Sequence, residues 1–303
     1  MTHGTHNAES DLRNQNIKIY INGEFFQRQD AKISVFDSGY LVGDGVWEGI
    51  RLYKGKLAFV NDHLSRLWTA AKAIGLNIPY SKDEIIKRIQ STVEINNMFD
   101  QVHIRVMLTR GIKKTPSQDP RLTISGPNLV IIAEHKKASI ESKNKGIKLF
   151  TSSFRRGSPD YLDPKLNCHS KLHEVQALIQ AMEAGADEAL MLDVHGFVST
   201  CNATNFFMIK NNEVWTSTGD YCMNGITRAK IINICKENDI ICHQKNFSLY
   251  DTYCADEAFV TGTFGGVTPV THIDGKQIGI GNFGSISKKL SNLYEQLILQ
   301  EVG

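Results

Sequence analysis

The sequence predicts an α+β fold in two lobes from three features: a length of 303 residues, strand and helix patterns that do not alternate regularly, and one charged break near the middle. Single domains usually hold about 100–200 residues, so this chain has material for two cores. The stretch from Glu134 to Lys145 is charged, contains serine and has no apolar periodicity, and it follows a run that reads as a buried strand. The lobes are expected to meet there. The expected division is a flexible tail over 1–16, a smaller α/β lobe over 17–140 and a larger lobe over 141–303.

Ile17 to Ile21 alternates like a strand, reaches a turn at Asn22-Gly23 and returns in a second strand near Phe25, a hairpin signature. Val46 to Tyr53 reads as a strand, turned by Lys54-Gly55 into Leu57 to Val60. Asn61 is the expected cap of a helix whose apolar residues Leu64, Leu67, Trp68, Ala71 and Ile74 share one face. Ser81 and Glu84 form a capping box ahead of a second helix. Strands are expected at Val102 to Thr109, Asn128 to Ala133, Ile147 to Thr151, Glu188 to Leu192, and Asn205 to Ile209 paired with Val214 to Thr216. Helices are expected from about Ser170 to Ala184, from Gly225 onward, and from Ser285 to Leu299. A strand at Glu257 to Thr261 completes the reading.

Charged residues make up 22% of the chain and the net charge is +2, which gives no electrostatic reason for a nucleic-acid partner. No run approaches the ~20 apolar residues that span a bilayer, and the polar first sixteen residues lack a signal-peptide core, so a cytoplasmic protein is expected. Six scattered cysteines without a CxxC pair read as reduced thiols. Gly43-Asp44-Gly45 has Glu48 where a dinucleotide fingerprint needs glycine, and neither a P-loop nor HExxH occurs. His169 and His173 share a helix spacing, but no third ligand accompanies them, and no metal is expected.

Five segments carry a family likeness: FDSGYLVGDGVWEGIRLYKG (36–55), HLSRL (63–67), HIR (103–105), GITR (225–228) and ADEAFVTGTFGGVTPV (255–270). In this order and spacing the chain resembles the fold-type IV, or class IV, aminotransferases of the branched-chain and D-amino acid type, from about Ile17 to Leu299. The resemblance implies a two-lobed architecture with pyridoxal 5'-phosphate bound between the lobes, a homodimer, and amino-group transfer between a small amino acid and a keto acid. A phosphate needs fixed donors, best supplied by a guanidinium fork and a helix N-terminus. By resemblance these are Arg66, Ile226, Thr227 and Thr263. Arg105 matches a substrate-pocket arginine and Trp47 an aromatic position of the substrate wall.

Two positions depart from the family. Counting forward from SSFRR (152–156) puts Asn167 where the family has the lysine that links to the cofactor aldehyde and moves protons. Lys165, two residues earlier and on the same side of an extended strand, is the expected replacement. Lys171 is the second candidate, reached by shortening the following helix by about one turn. Thr200, in STCNATN, stands where the family has the glutamate that keeps the cofactor's ring nitrogen protonated; a hydroxyl cannot supply that charge. These departures leave two alternatives to transamination: a lyase resembling aminodeoxychorismate lyase, and a cofactor-binding protein without transaminase activity.

Overall fold

A computed structural model describes residues 4–5, 8–138, 143 and 145–303. Its strands form two sheets. The first contains β1 (Lys18–Ile21), β2 (Glu24–Gln27), β3 (Gly45–Tyr53), β4 (Lys56–Ala58), β5 (Val102–Thr109) and β6 (Asn128–His135). It is fully antiparallel, in the order β2-β1-β6-β5-β3-β4. The second contains β7 (Ile147–Thr151), β8 (Glu188–Leu192), β9 (Val198–Cys201), β10 (Asn205–Lys210), β11 (Glu213–Thr216), β12 (Cys242–Gln244), β13 (Glu257–Gly262), β14 (Gly266–Ile273) and β15 (Lys276–Gln277). Its order is β12-β11-β10-β13-β14-β7-β8-β9, with β15 paired to β14. Every strand up to His135 belongs to the first sheet and every strand from Ile147 to the second. Parts of two expected segments, 1–3 and 6–7 of the tail and 139–142 and 144 of the boundary, lie outside the described residues.

Alternation within the first sheet decides what faces what. Val46, Ile50, Leu52, Ile104, Val106 and Leu108 pack into one core with Leu64 and Leu67 of helix α2 (Val60–Ala73) and Ile85 and Ile89 of α3 (Lys82–Ile95). The opposite face of β3 and β5 therefore carries Trp47 and Arg105, and it forms one wall of a cavity. The second sheet is covered on both sides, which is why β8, β10 and β13 read as nearly continuous apolar runs. Helices α6 (Ile226–Glu237) and α8 (Ser285–Glu301) cover one face, while α5 (Leu172–Glu183) packs Ala177 and Ala181 against Ala189 and Met191 of β8. Three short helices, α1 (Ser38–Val42), α4 (Pro159–Leu162) and α7 (Leu249–Tyr253), lie in the connections. The lobes are joined by Phe59 stacked on Tyr294 and by Lys230 paired with Asp62 at 2.7 Å.

Three expectations change. Helix α2 is capped not by Asn61 but by Phe59, which has φ +52° and no side-chain cap; the helix therefore begins at Val60, the residue expected to end β4. The segment expected as a tail contains a 3-10 helix over Leu12–Asn16, clamped where the Asn14 side chain donates to His135 O and accepts from His135 N, both at 2.8 Å. A proline-containing run became β14, with Pro269 opposite Phe259 inside the sheet.

Candidate active site

A cavity of about 640 Å³ opens between the two sheets. It is lined by Trp47, Arg66, Arg105, Thr200, Ile226, Thr227 and Thr263, seven of the eight residues expected at the site. The eighth, Lys165, is not among its lining residues.

Arg66 is held from two sides. Its Nε and Nη2 make a bidentate pair with Glu48 at 2.7 and 2.8 Å, and its Nη1 donates to Asn224 O at 3.0 Å. Glu48 has the parity of Val46 and Ile50, so it points under α2, where it is fully buried and also contacts His63 Nδ1 at 2.8 Å. Burial works to raise the Glu48 carboxyl, but the hydrogen bonds from Arg66 and His63 outweigh it and hold its pKa below the ordinary value. A guanidinium has five N–H groups, and three are committed here, so two remain for a ligand. They lie next to the start of α6, because Asn224 immediately precedes the helix cap Gly225. An added Cβ on Gly225 would stand 2.3 Å from Asn205 Oδ1. Asn205 is buried and donates to Met223 O at 2.9 Å, which fixes the approach to the helix and leaves the first N–H groups of α6 at the cavity. Thr227 is buried with its hydroxyl 3.2 Å from Tyr294 OH, and the buried Thr261 Oγ1 on the same cavity wall as Thr263 has no partner. An anion with several acceptor oxygens matches these groups.

Thr200 spends its one O–H on Thr204 O at 2.7 Å and accepts from Asn205 Nδ2 at 3.2 Å. The nearby carboxylate of Glu188 faces away from the cavity: Thr204 Oγ1 donates to its Oε2 at 2.7 Å, while Thr5 donates to its Oε1 from both N, at 3.1 Å, and Oγ1. The carboxylates that do line the cavity are Glu134 and Glu174.

Lys165 is exposed. The expectation that it shares a side with residue 167 required an extended strand, but Asp163 bends the chain, accepting from Lys165 N at 2.9 Å on its side chain and from Leu166 N at 3.0 Å on its carbonyl. Asn167 itself is on the wall, 2% exposed and locked to Trp47: Trp47 N donates to Asn167 O at 3.0 Å, and Asn167 Nδ2 to Trp47 O at 2.6 Å. Lys171 caps α5 and lines the cavity, with Nζ 3.4 Å from Glu174 Oε1. Glu174 also receives Arg156 Nη1 at 2.8 Å on the same oxygen, and His173 Nδ1 approaches its Oε2 at 2.9 Å outside hydrogen-bond alignment. Burial works to raise the Glu174 carboxyl, but His173, Lys171 and Arg156 together hold it down at about 2. Arg156, Glu174 and Asn205 were not anticipated, although SSFRR and STCNATN contain two of them.

Arg105 opens into the cavity with its guanidinium 3.8 Å from the Trp47 ring centre. Lys136, from the chain just after β6, lines the same wall; burial lowers its pKa, and Arg105 and Arg51 nearby act in the same direction. Among the described residues no three His, Cys, Asp or Glu side chains are grouped to hold a metal, and no helix is long and apolar enough to cross a membrane.

The amino-transferase class IV family model matches residues 45–273. The chain belongs to the class IV aminotransferases. Among members of known sequence, it is 41% identical to the branched-chain-amino-acid aminotransferase-like protein 2 of Arabidopsis thaliana over 94% of this chain. That match takes in 51% of the Arabidopsis protein, so the chain spans about half the length of that relative. It is 39% identical to a putative branched-chain-amino-acid aminotransferase of Methanocaldococcus jannaschii, covering 93% of this chain and 96% of that one. A D-alanine aminotransferase of Listeria monocytogenes is 33% identical over 95% of this chain and 98% of its own. Among class IV structures, the branched-chain amino acid aminotransferase from Escherichia coli superposes with a TM-score of 0.85 at 27% identity, covering 94% of this chain and 95% of that chain. Another branched-chain amino acid aminotransferase, solved in complex with N-(5'-phosphopyridoxyl)-L-glutamate, superposes with a TM-score of 0.87 at 28% identity over the same shares of the two chains.

Proposed function

We propose that this chain is a pyridoxal 5'-phosphate-dependent aminotransferase that moves an amino group between a small amino acid, branched-chain-like or D-, and a keto acid. The observation that carries this reading is that Arg66, the N-terminus of α6 and Thr263 meet on one cavity wall, with Arg105 on the same cavity. The cofactor fits its phosphate end: the free N–H groups of Arg66, the first turn of α6 and the unpaired Thr261 hydroxyl are donors with nothing else to bind. When bound, pyridoxal phosphate supplies an aldehyde that receives the amino group and a ring that delocalises the electron pair left at the substrate carbon.

The protein's own part follows from its side chains. Arg105, its guanidinium 3.8 Å from the Trp47 ring centre, receives the substrate carboxylate through its N–H groups. Lys171 takes the proton-carrying role expected of Lys165, because its Nζ is in the cavity; ionised Glu174 holds that Nζ in place. Thr200 is an uncharged hydroxyl with its proton committed to Thr204 O, so it supplies no negative charge to hold a proton on the ring nitrogen. Six free cysteines suit the reducing cytoplasm. A homodimer is supported by Leu172, Val175, Ile179 and Met182, which form an exposed apolar stripe at helical spacing along α5.

A panel of L- and D-amino acids with a keto-acid acceptor, analysed for the new amino acid, tests the activity. Transfer from small aliphatic donors is expected, falling at least about a hundredfold in Lys171→Ala. A second reading, a cofactor-binding protein without transaminase activity, is favoured by Asn167 and Thr200; bound cofactor with no transfer from any donor would establish it. In parallel, sedimentation of the whole chain is expected to give twice 33.9 kDa, and Ile179→Glu to give the single mass; a wild-type monomer would remove the dimer.

A further inference from the structure

Asn167 is more than a missing lysine. Its side-chain amide must present nitrogen to the Trp47 carbonyl, since two carbonyl oxygens cannot bond each other, and this fixes Oδ1 on the other side. That oxygen is buried and has no partner, although the residue lines the cavity. A buried acceptor without a donor is unfavourable, so the wall is complete only when something in the cavity donates to it. The backbone bond from Trp47 N to Asn167 O, together with the amide's own bond to Trp47 O, keeps the group from turning to satisfy itself.

The ligand that meets Asn167 decides what can complete it. An aldehyde carries only acceptor lone pairs and would oppose Oδ1 acceptor to acceptor. A primary amine on the same carbon brings two or three N–H donors. The neighbouring Lys171 does not fill this place, because its ammonium is drawn toward Glu174. Resting on the reading of the cavity as a pyridoxal phosphate site, we infer that Asn167 makes this chain hold its cofactor without a covalent link and select the amine form, pyridoxamine 5'-phosphate, over the aldehyde form. The phosphate cradle treats the two forms alike, so the difference lies at position 167.

The test is equilibrium titration of the purified full-length chain, stripped of cofactor, with pyridoxamine 5'-phosphate and pyridoxal 5'-phosphate separately. The amine form is expected to bind on the order of tenfold more tightly, the effect of one buried acceptor gaining its donor. Borohydride treatment in the presence of the aldehyde form is expected to leave no peptide labelled. Asn167→Ala should bring the two affinities together, Asn167→Asp should widen the gap, and Asn167→Lys should reverse it and give a borohydride-fixed label on residue 167. Equal or tighter binding of the aldehyde by the unaltered chain, or a label on Lys171, overturns the inference while leaving the cofactor site standing. Failure of both forms to bind overturns the inference and the cofactor reading together.

Discussion

Arg66→Ala is expected to raise the dissociation constant for a phosphorylated cofactor by a hundredfold or more, about 3 kcal/mol, because a hydrogen-bonded charge pair at a desolvated site is worth about 2–5 kcal/mol. The same substitution strips the fully buried Glu48 of its bidentate partner, leaving only His63, and a buried carboxylate so abandoned costs about 3–5 kcal/mol of folding stability. Arg66→Lys separates the two effects. A lysine ammonium can still neutralise Glu48 but cannot keep two N–H groups on Glu48, a third on Asn224 and two more for a ligand. Urea unfolding should therefore show most of the stability restored in Arg66→Lys while titration shows affinity still depressed. Wild-type affinity in either variant would mean that the guanidinium is not a phosphate ligand.

Arg156→Met is expected to cost about 3 kcal/mol, since Arg156 and Glu174 are both buried and the carboxylate would lose its nearest cation. The pH dependence provides the check. The folded-state pKa of Glu174, about 2, is depressed below the ordinary 4.5. Its contribution, about 3 kcal/mol, is therefore fully present above pH 4.5 and is lost as the pH falls from 4.5 toward 2. Urea midpoints taken between pH 6 and 2.5 should fall steeply over the acid part of that window in the unaltered chain and less steeply in Glu174→Gln. Identical slopes would show that Glu174 is not held ionised by its neighbours.

Local chemistry made much of this fold readable. The Asn22-Gly23 hairpin, the Ser81–Glu84 capping box and the strand at Ile147–Thr151 all follow from pairs or runs whose cause lies within a few residues. Arg66 and Gly225 to Thr227, which only the five family segments taken together single out, all line the cavity. What was not readable depends on distant partners. Phe59 starts α2 in a left-handed conformation because it is stacked on Tyr294, more than two hundred residues away in the chain. Pro269 hides β14 from any strand pattern, and its place in the sheet is fixed by β13 and β7. Lys165 was misplaced by two residues' worth of geometry, an Asp163 turn substituting for the extended chain that would have carried it inward. Arg156 and Glu174 stand on a loop and at a helix start with no local pattern to join them; only their meeting, eighteen positions apart, makes them a buried pair.

The bonds that run from Thr5 through Glu188 to Thr204, and from Thr200 to Thr204 O, also make Thr5 a strut behind the cavity. Removing Thr5, or displacing it with a bulky fusion, would leave Glu188 with a vacant oxygen and slacken the strand that carries Thr200 to the cavity. A change at Thr5 thus bears on the cavity itself, although this residue belongs to neither of its two sheets.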